Sequence, residues 1–454
     1  MRRLRLRSAL AAVAIGAVVG GMVTQALGDV PGVDRPAQLS SPSPATAVRV
    51  GGDMVTVFQT GPLTAANRDR IFAAAAAVNA PAVTGQGFTI GLWRVVRNGV
   101  AVKQAQQPGW AFPMSVTALP AGAVASTMGR TISGVLGTNQ VVVGATSAAV
   151  SGIQAGDVLE LWTGADTLAA LRVGMVAPDA EVGGTEIVMS SAQAADLGYT
   201  LDSRVLIYGQ FDRARLEGAL AFVGLTGDPR IRVRRSWDPA DPDSTIGLAR
   251  TKQVFGEFDY AHLSLRGSAT GWVPMSPAWV NAYLLPRVQY PTGFFARCNV
   301  AMDAALRTAL QQVVGAGLGG AIDADNTSSF GGCGIGQVRF SRTGVQLGSI
   351  SRHSWAMALD VNTDTNCQGC VPRLDCRVVN IFRANGFAWG GNFLTPDGMH
   401  FEWVGERRDQ LAYPSKYCPN PVSATPAQRA QSVALNRATF FADDGTTLDH
   451  DHDH

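Results

Sequence analysis

All six cysteines of this 454-residue chain, Cys298, Cys333, Cys367, Cys370, Cys376 and Cys418, fall after residue 297. That asymmetry suggests that the last third is a separate unit. An even cysteine count in an exported chain reads as disulfides rather than free thiols. Cys298–Cys333 is the expected first pair, because its members flank the first helix of that region; the other four are left unpaired on paper. Export itself is read from the N-terminus. Arg2, Arg3, Arg5 and Arg7 precede a charge-free run from Ser8 to Gly28. A basic stretch ahead of an apolar one has the form of a secretory signal, and Thr24-Gln25-Ala26 has the small-x-small form of a cleavage site. The run is also long enough to span a bilayer, so residues 1–28 are a signal peptide or an anchor. The expected location is the cell wall, a periplasm-like space or the exterior.

Composition narrows the class. Apolar residues make up 46% and charged residues 16%, which excludes a disordered chain. Lys plus Arg is 37 against 35 for Asp plus Glu, so no global field recruits nucleic acid. Only Lys103, Lys252 and Lys416 are lysines, and no function is read from that. Residues 29–48, with PGVDRP and SSPSPAT, read as a Pro/Ser linker. Residues 49–225 read as a β-rich accessory domain. Met54–Gln59, Phe88–Val96, Val141–Gly144, Asp157–Trp162, Leu171–Val176, Thr185–Met189 and Arg204–Tyr208 are short β-branched or aromatic runs between turn residues. Helical spacing appears over Thr64–Val78 and Asp212–Val223. The stretch from Thr131 to Gly156, free of charge and Pro, reads as strands and turns. Nothing in residues 49–225 suggests chemistry, so a role in positioning the protein or binding an envelope partner is expected there. Residues 226–292, rich in Pro, Asp and Arg, read as an ordered connector, and residues 421–454 as a solvated polar tail ending in alternating Asp and His.

Two segments stand apart, Ser351–Asn362 (SRHSWAMALDVN) and Pro396–Trp403 (PDGMHFEW). Strand side chains alternate between faces. In the first, Met357, Leu359 and Val361 share one face, while Ala356, Ala358 and Asp360 share the other. In the second, Met399, Phe401 and Trp403 alternate with His400 and Glu402. If the strands are neighbours, His353, folded back from the preceding loop, converges with Asp360 and His400. Two imidazoles and a carboxylate with one position left open suit a catalytic zinc. Glu402 would then accept a hydrogen bond from a ligand histidine, and Asp397 is placed to take a proton from a zinc-activated water, with Glu402 in reserve. Two helices flank these segments, over Val300–Val314 and Asp375–Asn385, the latter with Asp375 as N-cap and Asn385-Gly386 as its stop. The spacing Asp360-Asn362-Asp364-Asn366 imitates a calcium loop but lacks its Gly and its bidentate Glu. Cys367-x-x-Cys370 is read as a disulfide-stapled loop.

The pattern Ser351-x-His353-x-x-Ala356-x-Ala358-x-Asp360 followed by Asp397-x-x-His400 resembles the D-alanyl-D-alanine carboxypeptidase family of zinc peptidases, which act on peptidoglycan and share a fold with lysostaphin-type enzymes and the hedgehog signalling domain. Gly331-Gly332-Cys333, Arg339-x-x-Arg342 and Trp389-Gly-Gly391 agree with it. Ala356 stands where the family usually has Gly, and Asn392 where an acid is common. The resemblance covers Phe295–Tyr417. It implies His353, Asp360 and His400 as ligands of one zinc ion and Asp397 as the catalytic acid/base. It implies Arg339 as the arginine that binds substrate or stabilises the oxyanion, with Arg342 as its alternate, and Ser351 as a residue that orders the site. The expected fold is α+β: a small C-terminal antiparallel sheet with flanking helices and disulfides over residues 293–420, preceded by the β-rich accessory region. The expected function is hydrolysis of peptide bonds in peptidoglycan stem peptides. The alternative is a non-catalytic cell-wall or envelope binding protein on the same fold.

Overall fold

In the computed structural model, which describes residues 52–442 apart from 60, 138, 267, 269–270, 325–331 and 342–346, one long strand organises the first half of the chain. The proposed signal or anchor, the linker, Arg342 and the Asp/His tip lie outside the described residues. The strands of this half are β1 (Asp53–Gln59), β2 (Ala82–Arg97), β3 (Val100–Gln104), β4 (Phe112–Leu119), β5 (Gln140–Gly144), β6 (Val158–Trp162), β7 (Leu168–Ala177), β8 (Ile187–Ser190), β9 (Arg204–Gly209) and β10 (Ile231–Arg235). The start of β2 pairs β9, which continues through β1 to β10. Its middle pairs β4 and its end pairs β6 and β3. Because β4, β8, β5, β7 and β6 follow in order, the pairing of β6 with β2 closes a ring. Closure leaves those strands without open edges. The ring is filled by the inward members of each alternation, among them Ile90, Leu92, Val116, Val141, Val143, Leu159, Leu161 and Ile187.

The outward members of the same strands are buried too. Leu119, Val142 and Val188, with Leu206 of the neighbouring β9, pack on Ala123, Val124, Met128 and Ile132, which belong to the helices Ala121–Thr127 and Arg130–Val135 and the turn between them. Here the structure corrects the reading of Thr131–Gly156 as strands and turns: Arg130–Val135 and Ala145–Ser151 are helical, their propensity overridden by the need to cover the ring. The same outer cluster receives Phe440 and Phe441. They follow a helix, Pro426–Ala438, opened by a capping box in which Thr425 and Gln428 satisfy each other's backbone amides. The expectation of a solvated tail from Pro421 is therefore corrected for residues 426–442. That helix is polar on most sides, and the two phenylalanines beyond it supply its anchor.

Short strands tie the middle of the chain together, β11 (Val273–Pro274) with β14 (Gln337–Val338) and β12 (Val288–Gln289) with β13 (Phe295–Ala296). The C-terminal antiparallel sheet has the order β15 (Ala358–Asp360), β17 (His400–Trp403), β16 (Phe387–Trp389). The helix Cys376–Ala384 covers one face of it: Phe382 lies 4.3 Å from the ring of Phe401 and 5.1 Å from that of Phe387. Asp375 caps this helix by accepting from the Arg377 amide, and Gly386, at φ +85°, turns the chain out of it. Disulfides join Cys298–Cys333, Cys367–Cys370 and Cys376–Cys418. Among the described residues no helix is long and apolar enough to cross a membrane.

The helix Leu248–Phe255 belongs to both halves of this architecture. Its Lys252 ammonium, fully buried, pairs with Glu186 at 2.9 Å beside the ring, while Phe255 meets Trp403 of β17 edge-on at 5.7 Å. Just before the helix, Asp243 forms a buried bidentate pair with Arg383, at 2.9 and 2.6 Å, and accepts the Trp389 amide.

Candidate metal centre

The register of β15 against β17 sets Ala358 opposite Glu402, Leu359 opposite Phe401 and Asp360 opposite His400. Residues opposite one another lie on the same face, so Asp360, His400 and Glu402 share the face away from the helix Cys376–Ala384, and Ala358 leaves room between them. His353 reaches the same place from a one-turn 3-10 helix, Arg352–Trp355. Its ring centroid is 5.2 Å from that of His400. His353 Nε2 lies 3.0 Å from Asp360 Oδ2, and His400 Nδ1 lies 3.0 Å from Asp360 Oδ1. One donor atom from each of these three buried residues falls within 4.8 Å of the others.

The outer partners orient both rings. His353 Nδ1–H donates to the Cys333 carbonyl at 2.7 Å, and the Cys298–Cys333 disulfide ties that carbonyl down. His400 Nε2–H donates to Glu402 Oε1 at 3.0 Å. Glu402 in turn lies 3.9 Å from Arg352 Nε, whose other nitrogens donate to Thr251 Oγ1 and the Ile246 carbonyl. Two glycines make the approach possible. A Cβ on Gly334 would sit 2.6 Å from the His353 carbonyl, and one on Gly390 would sit 2.5 Å from the Asp397 carbonyl and 3.0 Å from His400 Cβ. The turn after His353 is closed by Ala356 in the left-handed region, φ +51°. This conformation explains why a glycine is at home in that position of the pattern.

The electrostatics of the two rings differ. Burial disfavours charge on His400, but the carboxylates of Asp360 and Glu402 on its two nitrogens outweigh it and push its pKa up to about 10. Burial pushes His353 down; Asp360 only partly offsets this, and the charges of His400 and Arg339 add to the depression. With Nδ1–H committed to Cys333, His353 turns its Nε2 to the Asp360 carboxylate at 3.0 Å. The donor set, two imidazole nitrogens and one carboxylate with both rings oriented from behind, fits a zinc ion.

The remaining predicted residues fall around this centre. Asp397 is fully buried; its N–H donates to the Gly390 carbonyl at 2.9 Å and its own carbonyl accepts from the His400 amide at 3.1 Å. Arg339 is close enough for its charge to act on His353, and its guanidinium lies over the ring of Trp272 at 5.3 Å. Ser351 precedes the 3-10 turn and ties it to Arg339 through its backbone amide. Asn392 is turned away from the centre, donating to Asp243 and the Tyr417 carbonyl and accepting from the Tyr417 amide.

Residues 346–403 match the family model of the D-alanyl-D-alanine carboxypeptidases. The match supports a hydrolase of carboxypeptidase type in this segment. It includes His353, Asp360, Asp397, His400 and Glu402 and stops short of Arg339. No curated protein matches the chain. Sequence reasoning missed Arg352, although it adjoins a ligand, because arginine between two polar residues reads as surface. Trp272, Asp243 and Arg383 were missed because their partners are far away in sequence.

Proposed function

We propose that the protein is an exported zinc metallopeptidase that hydrolyses peptide bonds in peptidoglycan stem peptides. The observation that carries this reading is the convergence of His353, Asp360 and His400, with buried Asp397 beside His400, inside the segment that matches the carboxypeptidase family. His353 Nε2, Asp360 and His400 Nδ1 would hold the metal, and zinc bound there supplies Lewis acidity that polarises a carbonyl and acidifies water. The chain's own residues do the rest. Cys333 and Glu402 hold the two rings in the tautomers that present those nitrogens. Asp397, sealed from solvent, takes the proton from the attacking water and returns it to the leaving amine. Arg339 stabilises the developing oxyanion or clamps a terminal carboxylate through two parallel hydrogen bonds. The clamp favours trimming of a terminal D-Ala; the oxyanion role favours cutting within the stem.

Mass spectrometry of muropeptides before and after incubation with the zinc-loaded protein tests this. A new product lacking one residue, or an opened cross-link, is expected, and EDTA should abolish it. Unchanged muropeptides together with tight zinc binding would favour a binding protein built on the same fold. Asp397→Ala should retain zinc and lose turnover; wild-type rates in that variant would remove Asp397 from the mechanism.

A further inference from the structure

The geometry points to the Cys367–Cys370 disulfide as a positioning element for Asp397, so that turnover, but not metal binding, depends on its oxidation state. This inference rests on the peptidase reading above. Asp397 lies in a tight passage between β16 and β17. From one side it is held by Gly390, whose carbonyl takes its amide, and by the Trp389 indole, which donates to the Gly398 carbonyl at 2.8 Å. From the other side it is held by the disulfide loop. Gln368, inside the cross-link, forms an antiparallel bridge with Asp397. The Gly369 amide donates to the Pro396 carbonyl at 2.7 Å, and the Met399 amide donates to the Asn366 carbonyl at 3.2 Å. Gly398 has no room for a side chain, since a Cβ there would lie 3.0 Å from Pro372 and 3.1 Å from Asn366.

At its base the loop is held by buried Asn366, which donates to the Asn362 carbonyl and accepts the Arg373 amide at 2.7 Å; its tip has little else to hold it. Gly369 is exposed and takes φ +76°, and Val371 is 64% exposed, so almost no apolar surface is buried by its tip. The order of the tip, residues 367–370, comes from the cross-link and the backbone bonds to residues 396–399. His400 donates its amide to the Asp397 carbonyl, but the metal ligands also have holds outside this passage. The β15–β17 ladder continues past Asp360 and His400 to the Val361–Met399 hydrogen bond, and His353 rests on Cys333, which belongs to a different disulfide. Opening Cys367–Cys370 therefore frees one wall of the Asp397 passage and leaves His353, Asp360 and His400 in place. Both cysteines are partly exposed. A dithiol can deliver two electrons and two protons, leaving two thiols on the chain and its own sulfurs as a disulfide.

The test compares the full-length protein with its Cys367→Ser/Cys370→Ser variant. Three readouts are needed: zinc affinity by chelator competition, kcat and KM on a D-Ala-D-Ala stem peptide, and hydrogen exchange. The variant should exchange faster over residues 366–370 and 396–399. Its kcat should fall by about 10- to 100-fold, the scale of a displacement of order 1 Å in a catalytic group, while KM and zinc affinity stay close to wild type. Wild-type kcat and exchange would overturn the proposal, as would a loss of zinc affinity parallel to that of kcat. If the variant does not fold, brief dithiol treatment of the native protein, with the opened cysteines mapped by alkylation, gives the same readouts, and reoxidation should restore the rate. If the wild-type protein cleaves nothing, the peptidase reading fails, while exchange still decides whether the cross-link holds the passage.

Discussion

Replacing Glu402 by Ala probes the metal centre through its outer partner. Glu402 Oε1 is the acceptor that fixes His400 with Nδ1 turned toward Asp360, at 3.0 Å, in a position only 1% exposed. The cross-strand neighbour is Ala358, whose methyl offers no substitute acceptor. A buried hydrogen bond to a charged group contributes about 1.5–3 kcal/mol, equivalent to roughly 10- to 150-fold in an equilibrium constant, and removing the outer partner of a metal-bound histidine typically costs about 10- to 100-fold in affinity. Zinc affinity of Glu402→Ala should therefore fall by about 10- to 100-fold. Glu402→Gln keeps an acceptor oxygen but not the charge, and because charge-assisted bonds are roughly twice as strong as neutral ones, it should lose about half as much free energy. Competition against a chelator of known zinc affinity measures both variants, with a urea melt of the metal-free proteins to confirm folding. If Glu402→Ala binds zinc as tightly as wild type, something other than this carboxylate orients His400, and the outer shell assigned to the centre is wrong.

Two further outcomes concern stability. Arg383→Met strands the buried Asp243 carboxylate and should cost about 3–5 kcal/mol in urea unfolding; the double variant Arg383→Met/Asp243→Leu should cost clearly less than the two single changes added together, and simple additivity would refute the pairing. His262, buried against Gly91 and hydrogen-bonded to the Tyr260 hydroxyl at 2.8 Å, has its pKa pushed down by burial, and by the charge of Arg266, from 6.5 to about 3. The unfolded chain binds this proton at a higher pH than the folded one, so stability should be lost as pH falls from about 6.5 toward 3, by roughly 4 kcal/mol at most. His262→Gln should flatten that part of the stability–pH curve, and an unchanged slope would assign it to other groups.

Much of the centre is legible in the sequence because strands alternate. A small residue at 358 with an acid at 360, then His400 and Glu402 two apart, define one face of each strand, and two such faces need only pair in register; Ala356, expected on that face, instead closes the turn after His353. The helices near Asp375 and Asp212 are legible for a similar reason, since cap and apolar spacing are local. The ring of the first half is less so. β4 carries Pro113 as its second residue, which argues against a strand, yet Pro113 pairs with Gly91, next to the irregularity in β2 where β6 joins. Buried charge is the least legible. Two of the three lysines lie in one network, Lys252 with Glu186 and Glu257 and Lys103 with Glu257, assembled largely from segments far apart in the chain. Arg352 is likewise held by Thr251 and Ile246, contacts that no local pattern announces.

The helix Leu248–Phe255 carries one more implication. With Lys252 facing the ring, Thr251 receiving Arg352 and Phe255 against Trp403, it acts as a shared keystone, and neither neighbour can be lifted out without exposing charge or aromatic surface. Lineages that exchange catalytic modules by recombination would have to move this segment with the hydrolase. A cell that swapped only the residues around the histidines would inherit the ligands without the buttress that keeps them square.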